Sequence, residues 1–93
     1  MKVLIREEAC ADLERICAWI AQDNLLSAAS VATRIFEAID SKIALFPYIG
    51  RIGKVDGTHE WVVRGLPYII VYTVDDAREL ITILGVFHGA QDR

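Results

Sequence analysis

Residues 58–88 constrain most strongly what this chain can fold into. Two turn signals, Gly65-Leu66-Pro67 and Asp75-Asp76, divide the stretch into runs at 60–64, 68–74 and 78–87. β-branched and aromatic residues dominate the runs, and Gly, Pro and Asp stand where the chain must reverse. The pattern predicts a three-stranded antiparallel meander. The middle run is apolar on both sides: Tyr68, Ile70, Tyr72 and Val74 point one way, Ile69 and Val71 the other. A sheet backed by solvent alternates apolar with polar, so both faces of this one require cover.

The cover has to come from upstream. Lys2-Val3-Leu4-Ile5-Arg6 is short and β-rich, placed to add one more strand. Residues 7–22 then carry Ala9, Leu13, Ile16, Cys17 and Ile20 at spacings that fall on one helical face. Glu7, Glu8 and Asp12 lie in the first turns, where the positive end of the helix dipole favours them. Trp19 lies off the stripe, either flanking the core or forming a contact surface. Asn24 is a natural N-cap for a second helix over residues 25–46. Its buried face is expected to hold Ala28, Val31, Ala32, Ile35, Ile39, Ile43 and Phe46, with Pro47 ending it. So short a connection makes the pair an antiparallel helical hairpin.

Residues 47–57 contain Gly50, Gly53 and Gly57 with Arg51 and Lys54, but in no phosphate-loop spacing and with no helix after them. They read as a connection from the helices to the sheet edge. The expected order is therefore β-α-α-β-β-β, an α+β fold filling one domain over residues 1–93. Two helices cover one face of such a sheet, and no residues remain for the other. That second face, or its rim, is expected to dock another polypeptide. The alternative is a curled sheet whose aromatic tips, Trp61, Tyr68 and Tyr72, fold over the exposed side. Pattern alone leaves open which parity, Ile70 and Tyr72 or Ile69 and Val71, meets the helices.

Bulk properties narrow the function. A chain of 93 residues has room for one modest core, and a hydrophobic fraction of 54% exceeds what that core absorbs. The net charge of −3 speaks against direct nucleic-acid binding, whose footprint is a basic patch. No apolar run approaches the ~20 residues of a membrane span, and the N-terminal apolar stretch is too short for a signal peptide, so a cytoplasmic protein is expected. Cys10 and Cys17 are about 10 Å apart along a helix, beyond disulfide reach, and are expected to be free core thiols. The sequence offers no metal-ligand cluster and calls for no cofactor.

Four stretches together resemble a known family. They are residues 45–51 (Leu-Phe-Pro-Tyr-Ile-Gly-Arg), 57–63 (Gly-Thr-His-Glu-Trp-Val-Val), 66–72 (Leu-Pro-Tyr-Ile-Ile-Val-Tyr) and 83–92 (Ile-Leu-Gly-Val-Phe-His-Gly-Ala-Gln-Asp). With the element order, they make the chain similar to the RelE/ParE superfamily of toxins from bacterial type II toxin–antitoxin modules, over essentially its whole length. The resemblance implies a cognate antitoxin whose C-terminal part wraps the toxin and whose N-terminal part binds operator DNA. It also implies one of two activities: RelE-like cleavage of mRNA on the ribosome, or ParE-like poisoning of DNA gyrase.

The residues at hand favour the second. Metal-free RNA cleavage needs an acid, a base and cations converging on one phosphate. Here only Arg64 and His88 stand at plausible catalytic positions, with Arg51 and Lys54 in the loop, and no Tyr follows His88. The ending from His88 resembles ParE, although His59 and Gln91 occupy positions where relatives usually carry Arg. The expectation is a non-enzymatic, ParE-like toxin in a hetero-oligomer with its antitoxin. Trp19, Trp61, Tyr68 and Tyr72 are candidates for antitoxin or target contacts. A RelE-like ribonuclease and a degenerate toxin acting as co-repressor are the alternatives.

Overall fold

The computed structural model describes residues 1–89. Its elements run β1 (Lys2–Ile5), α1 (Glu7–Ala21), α2 (Leu25–Ala38) continued by a π-helical turn (Ile39–Ile43), β2 (Arg51–Ile52), β3 (Thr58–Val62), β4 (Tyr68–Asp75) and β5 (Leu80–His88). The strands form one mixed sheet in the order β1-β5-β4-β3-β2. The expected meander is present as β3, β4 and β5, each antiparallel to the next. β1 lies parallel to β5, from Lys2 opposite Leu80 to Ile5 opposite Ile83. The expected four strands become five, because the connection contributes β2, with Arg51 opposite Glu60 and Ile52 opposite His59. Two residues are too few for a strand signal in sequence; pairing to β3 creates this one.

The helices settle the parity. Tyr68, Ile70 and Tyr72 of β4 join Ile81, Ile83 and Val86 of β5, Ala9 and Leu13 of α1, and Ile35, Ile39 and Ile43 of the second helical run in one buried core. Between Val71 and Tyr72 the register to β5 slips by one residue, leaving Leu84 as a bulge. The bulge keeps both Ile83 and Val86 on the helix side, although they stand an odd three positions apart. Beyond Ile83, β5 has outrun β1 and its open edge meets α1. There Asp12 Oδ2 accepts the Val86 N–H at 3.0 Å, while Arg15 pairs with Asp12 Oδ1 at 2.5 Å. Asp12 thus ties helix to sheet as well as favouring the helix dipole. Asp12→Ala is expected to cost about 1–3 kcal/mol by stranding that N–H. Asp12→Asn should cost less, because an amide oxygen can still accept. Urea denaturation of the three proteins checks the order.

Asn24 caps α2 as expected, its side chain accepting from the Ser27 N–H at 3.1 Å. Two expectations for the helices need correction. Phe46, assigned to the buried face, is exposed. The run loosens into the π-helical turn, with the Ala44 N–H reaching back to the Ile39 carbonyl, and the chain leaves the helix before Phe46 can face the core. Cys10, read as a core thiol, is exposed; only Cys17 is half-buried, its thiol 4.0 Å from the Ala28 carbonyl between the helices. Both are free.

The face turned away from the helices is not bare. Residues 50–56 curl over its β3 corner, burying Thr58 and Glu60. Ile69 is buried too, Val71 and Phe87 are half-buried, and Leu4, Val62 and, in the covering loop, Val55 are large exposed apolar side chains there. The more exposed apolar surface lies elsewhere, on the helical hairpin at Trp19, Leu25 and Leu26 and on the edge strand at Ile52.

Candidate functional site

Four residues singled out in the sequence as contact candidates go to three different environments. Tyr72 goes inside. Its side chain is fully buried, its hydroxyl donates to the Pro47 carbonyl at 2.7 Å, and it accepts the Gly50 N–H at 3.0 Å. Burial raises its pKa, and the Gly50 N–H partly offsets the shift. Tyr72 is therefore no surface contact but the post on which the connecting loop hangs. His59 stacks on it with ring centroids 5.5 Å apart, and Tyr48 meets His59 edge-on at 5.4 Å. The Tyr48 hydroxyl donates to the Asp76 carboxylate, and that bond raises the Tyr48 pKa. His59, noted for standing where relatives carry Arg, is thus a packing residue between two tyrosines.

The Arg51 side chain and the Lys54 backbone are drawn into the same structure. Glu60 is buried and receives Arg51 at 3.1 Å and the Lys54 N–H at 3.3 Å. Arg51 is thereby committed to a carboxylate rather than held for a phosphate.

Trp19 and Tyr68 come together. With Arg15, Ile16, Val86 and His88 they line a groove of about 240 Å³ between α1 and the ends of β4 and β5. The helix period places Ile16 and Trp19 on adjacent turns, and the pairing of Tyr68 with His88 brings the two rings into edge-to-face contact at 5.6 Å. Tyr68 supplies a wall while its bulk stays in the core; Trp19 is 73% exposed and stands clear of the groove as its free aromatic rim.

Trp61 lies in a second place. A cleft of about 570 Å³ separates α2 and its π-helical turn from β3, lined by Arg34, Glu37, Ala38, Ser41, Lys42 and residues 61–64. The β3–β4 turn closes one end. Gly65 adopts φ +76°, and a Cβ there would lie 2.9 Å from the Arg34 guanidinium, whose Nη2 donates to the Arg64 carbonyl. Only glycine combines that backbone conformation with so close an approach.

Arg64 and His88, the two candidates for ribonuclease chemistry, therefore line different depressions. Among the described residues no cluster of three or more His, Cys, Asp or Glu side chains could hold a metal ion. The two depressions that hold candidate residues are an aromatic groove and a cleft with cationic walls. Gln91 lies outside the described residues. Sequence reasoning missed Arg34, Lys42 and Asp12, because each looked like an ordinary helix charge and acquires its role only when sheet and helix meet.

Comparison with known proteins adds four findings. Residues 3–93 match the family described as the ParE toxin of the type II toxin–antitoxin system, parDE. The Sinorhizobium fredii protein Y4kP, which carries a toxin name, is 38% identical over 72 residues, covering 77% of this chain and 74% of that protein. A solved chain of the chromosomal ParDE system of P. aeruginosa superposes with a TM-score of 0.79 at 21% identity over 95% of both chains. A chain of the RelBE2 toxin–antitoxin complex of Mycobacterium tuberculosis does so at 0.71 and 20%, over 94% of this chain and 95% of that one. At these identities the two structures speak for the fold alone.

Proposed function

The chain belongs to the ParE toxin family of type II toxin–antitoxin systems, and from that premise we propose that it inhibits DNA gyrase without itself catalysing a reaction and is neutralised by a cognate antitoxin. The observation that carries the choice of target is that Arg64 and His88 line different depressions. Cleaving RNA without a metal requires a base on the 2′-hydroxyl, an acid at the leaving oxygen and cations on the phosphate, all within hydrogen-bond reach of one another's substrate atoms. Arg64 and His88 line different depressions, Arg51 is paired with Glu60, and the Tyr72 hydroxyl is engaged in the core. A poison that works by trapping a protein–DNA complex needs only a recognition surface, which this arrangement supports.

The similarity to chains from ParDE and RelBE2 systems favours an antitoxin partner, as do the apolar side chains exposed on the hairpin. The test pairs two assays on the purified toxin: cleavage of a reporter mRNA in translating ribosomes, and gyrase-dependent linearisation of a plasmid. Linearisation that persists in Arg64→Ala and His88→Ala, with intact mRNA, is the expected result. Ribosome-dependent mRNA cleavage abolished by either substitution would overturn the reading in favour of a ribonuclease.

A further inference from the structure

The cations of this acidic chain are unevenly satisfied. Arg6, Arg15, Arg51 and Arg78 each pair with a carboxylate. Arg34, Lys42 and Arg64 have no carboxylate partner among the described residues; the side chains of Lys2 and Lys54 lack one too, but the first three line one cleft together, between α2 and β3. One acidic side chain, Glu37, stands with them. A protein of net charge −3 thus gathers three cations without a carboxylate partner in this one cleft. Arg34 is also held there, because its guanidinium donates to the Arg64 carbonyl over Gly65.

The floor between these charges is apolar. Ala38 and Val63 are buried in it and Trp61 is half-buried. β3 runs on past β2, which pairs only with His59 and Glu60, so Trp61 and Val62 keep an open strand edge on that side. An occupant that matches all three features is extended, carries several separated carboxylates and presents an apolar side chain to the indole.

We infer that the Arg34–Lys42–Arg64 cleft binds an acidic, extended segment of the antitoxin, its carboxylates on the three cations and an aliphatic or aromatic side chain against Trp61. The assignment rests on the toxin–antitoxin reading for the identity of the partner, but not for the chemistry of the segment. A nucleic-acid strand fits less well. It would bring a phosphate at every residue to a cleft of three cations in a negatively charged protein, and its backbone would leave the apolar floor unmatched. Matching a few carboxylates with a few cations orients a segment and discriminates against wrong partners.

Two measurements test the inference. In the first, the ¹⁵N-labelled toxin is titrated at low salt with the peptide acetyl-Glu-Asp-Leu-Asp-Glu-amide, with its Gln/Asn counterpart and with a short oligo-dT. The indole N–H signals of Trp61 and Trp19 are followed, assigned by Trp61→Phe. The acidic peptide should move the Trp61 signal, the neutral peptide should not, and Lys42→Glu/Arg64→Glu should weaken the response about tenfold or more. Both substituted side chains are exposed, so the variant is expected to fold, and its unchanged amide spectrum elsewhere confirms that it does. An unmoved Trp61, an equal response to the neutral peptide, or a response to oligo-dT alone would overturn the inference.

In the second measurement, the toxin is co-expressed with the antitoxin reading frame encoded beside it, and the affinity of the complex is compared between wild type and the charge-reversed pair. A complex that forms and ignores Lys42→Glu/Arg64→Glu refutes the cleft assignment while leaving the toxin–antitoxin reading intact. Absence of any complex refutes that reading, and with it the identity of the segment's owner.

Discussion

Gly50→Ala is expected to destabilise the protein by about 3 kcal/mol or more, a large part of the total stability of a domain this small. A Cβ on Gly50 would sit 2.7 Å from the Tyr72 hydroxyl oxygen and 2.9 Å from the Glu60 carbonyl oxygen. Neither neighbour is free to withdraw. Glu60 is fixed in the ladder between β2 and β3, and Tyr72 is fully buried with its hydroxyl bonded to Pro47. The loop must therefore lift, breaking the Gly50 N–H bond to Tyr72 and loosening β2, which begins at the next residue.

Tyr72→Phe attacks the same junction from the other side and should cost about 1–3 kcal/mol, since it strands the Pro47 carbonyl and the Gly50 N–H. It also carries a pH signature. The folded pKa of Tyr72 is raised above the ordinary 10.0 by burial. The native state therefore keeps the proton that the unfolded chain releases. The contribution is fully present below the unfolded value and is lost as pH rises through the raised one. Wild type should lose stability as pH rises past about 10, and Tyr72→Phe should lose less of it. Tyr48→Phe is the control, because the bond to Asp76 raises that tyrosine too. Urea denaturation across that rise in pH decides the matter; identical pH profiles for wild type and Tyr72→Phe would show that the hydroxyl is not held as described.

Trp19→Ala is expected to weaken the toxin–antitoxin complex by about 2 kcal/mol or more, roughly 30-fold in Kd. The indole is 73% exposed beside a groove whose walls are Ile16, Tyr68 and Val86 and whose rim carries Arg15 and His88. A large aromatic left in water at the edge of a concave surface gains most when a partner desolvates it. The same exposure means that its loss removes little packing, so the melting temperature of the isolated toxin should barely move. Isothermal titration against the antitoxin, with thermal melts of both toxins, reads the two quantities separately. Unchanged affinity would remove the hairpin from the interface. A large fall in melting temperature would return Trp19 to the core flank that its position off the helical stripe also allowed.

Much of this architecture is carried by local sequence. Tyr68, Ile70, Tyr72 and Val74 alternate with Ile69, Val71 and Thr73, and strand geometry sends them to opposite faces whatever surrounds them. Ala9, Leu13, Ile16 and Ile20 form a stripe because a helix turns every 3.6 residues. Asn24 caps α2 because its short side chain reaches the Ser27 N–H in the turn it opens. These features depend on residues within a few positions of one another, and a linear pattern records them. The family resemblance added the partner and the choice of activities, which no periodicity contains.

The remainder depends on contacts between distant residues. Which face of β4 is the core was decided when α1 and α2 packed on Tyr68, Ile70 and Tyr72. Phe46 fits the helical stripe by period but is exposed, because a π-helical turn at Ile39–Ile43 ends the run before it. Tyr72 looked like a surface aromatic until Pro47 and Gly50, 25 and 22 residues away, closed on its hydroxyl. Arg64 and His88 are the two residues at plausible catalytic positions for a ribonuclease. In three dimensions Arg64 turns to the cleft beside α2, while His88 stands over α1 beside Trp19. Spacing along a chain specifies faces. Which groups share a site depends on how layers stack, and that is a property of the packed molecule.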